Sequence, residues 1–204
     1  MDAPYCHRFN KTYKGEVDST QVGDETYIKI QGERNYVFFF LSSKKRNITA
    51  YHIDKERGTL PATVAMNEAI RTTAPWQEVT LVTDGNPSYP AGIHFINEMY
   101  ESNLIHKKVI GLQNLDSESE EFRPFKQLIE RLNRTYKFHK RCTCGFKSKN
   151  GAASLTTLFV TYYNFLRPHT ALKGDVPIPL EDLKGADTIQ GRWAKLIQLA
   201  LNLN

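Results

Sequence analysis

"TQVGDETYIKI" occupies residues 20–30, and its alternation decides the fold. Val22, Asp24, Thr26, Ile28 and Ile30 share one face of an extended chain; Gly23, Glu25, Tyr27 and Lys29 share the other. Period two predicts a strand over 20–31. "GER" at 32–34 reads as a turn, followed by a very apolar strand at 35–42. "KKRN" at 44–47 makes the next turn, and "ITAYHI" at 48–53 a third strand. Turns this short predict an antiparallel meander.

Downstream the period changes. "ATVAMNEAIR" reads as a helix with Pro61 near its first turn. "VTLVTDGNPSY", residues 79–89, carries a buried strand at 79–83 into a turn. A helix from about 89 to 101 follows, then a fifth strand, "KKVIGL", at 107–112. "DSESEE" at 116–121 reads as an acidic loop, and helices follow at about 122–138 and 150–166, the second ended by "RPH". In the tail, Trp193, Leu196, Ile197, Ala200 and Leu201 form one stripe of an amphipathic helix. Three antiparallel strands followed by β-α-β crossovers predict an α/β fold: a mixed five-stranded sheet with helices on both faces. Right-handed crossovers lay the fourth strand parallel to a strand of the meander. Residues 1–19 are polar without a clear period. The division is an N-terminal segment at 1–19, a core at 20–173 and a helical tail at 174–204.

A chain of 204 residues suits one generous domain, and 40% hydrophobic residues can build its core. The longest apolar run, "YVFFFL" at 36–41, is far short of the roughly 20 residues that span a bilayer. "MDAPYCHRFNK" lacks the apolar stretch of a signal peptide. The expectation is a cytoplasmic protein with no membrane partner. Net charge is +5, and residues 123–149, "RPFKQLIERLNRTYKFHKRCTCGFKSK", hold nine Lys and Arg against one Glu. Such clustering suits a phosphate backbone and equally a solvated basic helix face. Zinc could be drawn from Cys142 and Cys144 with His139 nearby and Cys6-His7 far away, but the CxC spacing fits no common structural zinc pattern, so reduced thiols are expected.

Three carboxylates stand out against this plan. Asp24 shares its face with Val22, Ile28 and Ile30, where an unpaired carboxylate is costly unless it is paired or binds a metal. Parity picks Asp24 over Glu25; a solvated strand edge is the bland alternative. Asp84 ends the fourth strand, where ligands of open α/β sheets gather. It could equally cap the Asp-Gly-Asn-Pro turn. On the helix at 122–138, Phe125, Leu128, Ile129, Leu132 and Tyr136 form the apolar stripe. Lys126, Glu130, Asn133, Arg134 and Lys137 share another side, making Glu130 the lone acid on a basic stripe. Pairing of Glu130 with Lys126 or Arg134 would give the helix a few tenths of a kcal/mol. Together the three acids could hold hard divalent cations, and two such ions about 3.5–4 Å apart can drive phosphodiester chemistry.

At these residues the chain resembles a known family. "GDETYIK", "LVTDGNPSYP" and "IERLNRTYK" look like the three acidic motifs of DDE-type insertion-sequence transposases, within the retroviral-integrase superfamily of ribonuclease H-like fold. "GFKSKNGAASL" and "YYNFLRPHTAL" look like the segment after the glutamate helix, so the resemblance covers roughly 20–173. It implies Asp24, Asp84 and Glu130 as catalytic and metal-holding triad, with two Mg²⁺ or Mn²⁺ ions. It implies hydrolysis at a transposon end and attack of the freed 3′-OH on target DNA, by a homodimer or higher oligomer on the DNA. Lys137 matches the basic residue that contacts DNA at the cleavage site; Lys126, Arg134, Lys140, Arg141 and Lys147 complete the expected DNA-binding set. The prokaryotic, nucleoid-associated setting follows from the same resemblance.

Two departures qualify it. Between Asp84 and Glu130 lie 45 residues, more than is usual in the family, and the acidic loop offers Asp116, Glu118, Glu120 and Glu121 as rival ligands. Only 23 residues precede Asp24, where family members carry a DNA-recognition region. The alternatives are therefore a truncated, non-autonomous DNA-binding remnant that partners or inhibits a full-length enzyme, and a ribonuclease H-like nuclease of cellular role.

Overall fold

The computed structural model describes residues 3–13, 15, 17–74, 76–111 and 117–203. The elements are α1 (Ala3–Thr12), β1 (Thr20–Ile30), β2 (Glu33–Ser42), β3 (Ile48–Asp54), α2 (Thr59–Ile70), β4 (Glu78–Thr83), α3 (Ser88–Tyr100), β5 (Asn103–Lys108), α4 (Ser117–Lys140), α5 (Lys149–Thr161) and α6 (Ile189–Leu201). The sheet order is β3-β2-β1-β4-β5. β1 pairs antiparallel with β2 and β2 with β3, while β4 lies parallel to both β1 and β5. The mixed five-stranded sheet expected from the sequence is therefore the one observed.

Local chemistry places each turn. Ile30 pairs with Glu33, leaving a two-residue loop in which Gln31 and Gly32 both take positive φ, at 53° and 82°. That conformation matches the strand twist of a tight hairpin. Asp18 organises the next turn: its carboxylate accepts from Ser42 Oγ at 2.5 Å and from the Lys44 amide at 2.7 Å.

Both faces of the sheet are covered, which explains the unbroken apolar run in β2. Phe39 points to the α4/α5 side, its ring 5.1 Å from Tyr136, among Val22, Ile28, Ile129, Leu132 and Phe159. Phe38 and Phe40 point the other way, among Met66, Val79, Leu81, Tyr89 and Ile93 of the α2/α3 layer. Phe40 lies across Gly23, its partner in register; a Cβ there would sit 2.3 Å from the ring. Two asparagines bond outer strands. The Asn164 side chain accepts from the Ile48 amide at 2.8 Å and donates to its carbonyl at 3.0 Å. Asn97 does the same for Leu104 on β5, at 2.9 Å in both directions.

Several expectations change. Residues 3–12 form a helix although the N-terminal segment shows no period, because Phe9 packs with Phe165, Leu166, Leu196 and Ala200 from the far end of the chain. The fifth strand is 103–108, not 107–112, since its pairing stops where β4 stops. Ser117–Glu121 opens α4 in place of an acidic loop, consistent with the preference of acids for a helix N-terminus. Leu112 and Asp116 lie outside the described residues, as does the Glu118 side chain. The helix expected at 150–166 ends at Thr161 and continues as a π turn over Tyr162–Leu166. Among the described residues no helix is long and apolar enough to cross a membrane.

Candidate active site at the strand ends

Register brings the acids together. Val22 of β1 pairs with Val82 of β4, the last pair the two strands share. β4 ends at Thr83, and β1 runs on beside β2 alone. Two residues beyond the shared pair stand Asp24 on one chain and Asp84 on the other. One ligand oxygen each from Asp24, Glu25 and Asp84 lies within 4.8 Å of the others; this is the one such group among the described residues.

Each carboxylate has its own support. Asp24 faces α4, where Lys126 Nζ lies 3.3 Å from Oδ1 and Asn133 Nδ2 donates to Oδ2 at 3.0 Å. Glu25 faces the α2/α3 side. It accepts from Tyr89 Oη at 2.5 Å, from Asn86 Nδ2 at 3.4 Å and from the Arg57 guanidinium. Arg57 also reaches Asp84 Oδ2 at 3.4 Å, bridging two of the three acids. Asp84 Oδ1 accepts from the Asn86 amide at 2.9 Å, so it does cap the Asp-Gly-Asn-Pro turn as well as joining the cluster.

Burial sets the electrostatics. The Asp24 side chain is 16% exposed and that of Glu25 only 3%. Burial pushes the Asp24 carboxyl up to about 6; Lys126 opposes the shift, while Glu25 and Asp84 add to it. Burial and the adjacent Glu25 charge hold the Tyr89 phenol well above its ordinary value, so it stays a donor. Three hard oxygen donors raising one another's affinity for positive charge suit a divalent cation of the Mg²⁺ class.

Glu130 lines the cleft of about 920 Å³ that also contains Asp84, Lys126, Arg57 and Asn86. It shares this wall with Asp84 but is not one of the three clustered acids. The rivals Glu120 and Glu121 are exposed and outside the cluster. Lys126, expected on DNA, is buried against Asp24. Arg134, Lys137, Arg141 and Lys147 are exposed, and Lys140 donates to the Tyr27 carbonyl at 2.9 Å. Cys6 is buried, Cys142 and Cys144 are exposed, and none of the three is in a disulfide.

Glu25, Arg57 and Tyr89 are what sequence reasoning missed. Parity correctly sent Glu25 to the opposite face from Asp24. It misjudged that face, which is buried too. The usable signal was a second acid directly beside the first in a strand whose neighbour is apolar throughout.

A family model described as a DDE domain, of the IS240 transposase type, matches residues 17–155. Among solved structures, the trimeric form of the HTLV-2 integrase catalytic core domain in complex with magnesium aligns with a TM-score of 0.54 at 14% identity, over 80% of this chain and 97% of that chain. The dimeric form gives 0.56 at 13% identity over the same shares. A chain of the simian T-cell lymphotropic virus intasome aligns at 0.53 and 16% identity; the match covers 76% of this chain and about half, 52%, of that one. At these identities the likeness is one of fold. No curated protein matches. A sheet of order 3-2-1-4-5 with acids on β1 and just past the end of β4, and a family match across 17–155, lead to one statement: the chain belongs to the DDE domain family of IS240-type transposases, on the ribonuclease H-like integrase-core fold.

Proposed function

We propose that this DDE domain cleaves DNA at insertion-sequence ends and joins the freed 3′-OH to target DNA. The observation that carries the reading is the convergence of Asp24 on β1 with Asp84 just past β4, beside a cleft whose wall includes Asp84 and Glu130. Asp24, Asp84 and Glu130 would hold two Mg²⁺ or Mn²⁺ ions. Bound there, the ions activate the attacking oxygen and stabilise the leaving one.

The chain's own residues do the rest. Lys126 balances Asp24, and Arg57 bridges Glu25 and Asp84. Glu25 orients Arg57 and is itself fixed by Tyr89, which makes it a positioning residue. Arg134, Lys137, Arg141 and Lys147, all exposed, would with Lys140 offer cations to the phosphate backbone. Catalysis in such a site is positioning and electrostatics rather than covalent chemistry.

The test is nicking and strand transfer on DNA carrying the element's ends, with Mg²⁺. Asp24→Asn, Asp84→Asn and Glu130→Gln should each cut the rate by about a thousandfold or more, and chelation should abolish it. Wild-type rates in Asp24→Asn and Asp84→Asn would sink the reading. A full rate in Glu130→Gln with loss in Glu25→Gln would move the third ligand to Glu25.

A further inference from the structure

Tyr27 stands three residues beyond Asp24 on the part of β1 that has left β4 behind. It is the one aromatic of β1, and its side chain remains 50% exposed. Three cations gather on its ring: the Arg34 guanidinium 5.3 Å from the centroid, Lys140 Nζ at 5.4 Å and Lys137 Nζ at 5.6 Å. Lys140 is further pinned by its bond to the Tyr27 carbonyl. The segment after α4 is anchored here too, because Phe146 pairs with β1 through bonds to Lys29 and Gln31 of 2.8 and 2.7 Å.

None of the three cations has a carboxylate partner among the described residues. Glu33, beside Arg34, is held by Lys55 at 2.7 Å. Burial, and then the neighbouring Lys137 charge, depress the Lys140 pKa. A single exposed cation–π contact gives only about 0.5–1 kcal/mol, and a ring has only two faces for it. Three unneutralised cations around one open ring are therefore more than the ring itself can use. A flat aromatic face for a base, surrounded by cations for the phosphates, is the composition of a single-strand binding platform.

Its placement is specific. Three residues of strand carry Tyr27 about 10 Å from Asp24. Two helical turns carry Lys137 about 10.5 Å from Glu130. At about 3.4 Å per stacked nucleotide, each offset is roughly three nucleotides, one measured from Asp24 of the cluster and the other from Glu130 on the cleft wall. A paired base inside a duplex offers its edge but not its face, so the ring can take only an unpaired one.

We propose that Tyr27 is a stacking platform for an unpaired DNA base roughly three nucleotides from the cleaved bond, with Arg34, Lys137 and Lys140 holding the flanking phosphates. This deepens the transposase reading and rests on it. It requires that the bound end be locally opened.

The test uses the whole chain in EDTA, so that no cleavage occurs. The probes are a fully paired duplex and the same duplex with a short forked end carrying 2-aminopurine. Wild type should bind the forked probe more tightly and quench its fluorescence. Tyr27→Leu should lose the quenching and bind the fork about tenfold more weakly, with paired-duplex affinity unchanged. Tyr27→Phe, which keeps the face, should behave as wild type, and a matching thermal midpoint shows that both variants fold. Asp24→Asn should quench normally, which separates this test from the cleavage assay. If Tyr27→Leu quenches the fork as wild type does, or wild type does not prefer the fork, the platform is wrong whatever the cleavage assay gives. If the platform passes and no Mg²⁺-dependent cleavage is found, it is the catalytic reading that fails.

Discussion

The acid cluster and the Tyr27 platform lie on the same strand and meet the same helix, yet handle charge in opposite ways. At the cluster every buried acid has an answer: Lys126 and Asn133 for Asp24, Arg57 and Tyr89 for Glu25, Arg57 and the Asn86 amide for Asp84. At the platform Arg34, Lys137 and Lys140 crowd one ring, with no acid among the described residues to pair them. Burial forces the first arrangement, because an unanswered charge out of water is too costly to keep. Exposure permits the second, because water screens like charges until a polyanion replaces it.

That contrast can be broken at several points. The largest effect should come from Glu25→Ala, which strands Arg57 and the Tyr89 hydroxyl. Because Arg57 is half exposed and can turn to water, the loss comes mainly from the stranded Tyr89 hydroxyl and should be about 2–3 kcal/mol, read by urea denaturation; Glu25→Gln should recover part of it. A loss below about 0.5 kcal/mol would mean that Glu25 does not organise the cluster.

Next comes pH. The Asp24 carboxyl titrates at about 6 in the folded protein, against 3.8 for an ordinary aspartate. The folded state therefore holds an extra proton between these values. Its contribution is complete below pH about 4 and is lost as pH rises through about 6, on the order of 2–3 kcal/mol. Asp24→Asn should flatten this part of the stability profile. Because a cation competes with that proton, Mg²⁺ should raise the thermal midpoint more at pH 7 than at pH 5.

Gly23→Ala should cost about 1–3 kcal/mol, since the new methyl must displace the Phe40 ring that fixes β1 against β2. The smallest effects belong to the platform. Arg34→Ala and Lys137→Ala should each change stability by no more than about 0.5 kcal/mol. Each should nonetheless lower the salt dependence of DNA binding by about one unit of slope. A stability loss above about 1 kcal/mol would show that these cations serve the fold.

What was legible in the sequence follows the same division. β1 was readable because Val22, Ile28 and Ile30 alternate, and Asp24 because it interrupts them. Asp84 was readable as a strand-end acid, but its two tasks, turn cap and cluster member, could not be separated without the Asn86 amide in view. Glu25 was hidden by the assumption of one inside face; Phe38, Phe39 and Phe40, buried in alternate layers, were the available warning. Lys126 looked like its exposed neighbours on the helix because one turn of α4 happens to overlie Asp24. The helix at 3–12 was illegible because its partners are some 150 residues away, and no local period encodes a contact of that range.

One further consequence lies in Asn97 and Asn164. A side-chain amide carries one donor group and one acceptor, as a peptide unit does, and each of these residues presents both to an outermost strand. Unpaired strand margins are templates on which another chain can add itself and start an aggregate. Here each margin already has a false neighbour of a single residue. A strand adding itself over Ile48 of β3 or Leu104 of β5 would have to dislodge an asparagine, at a cost of two hydrogen bonds.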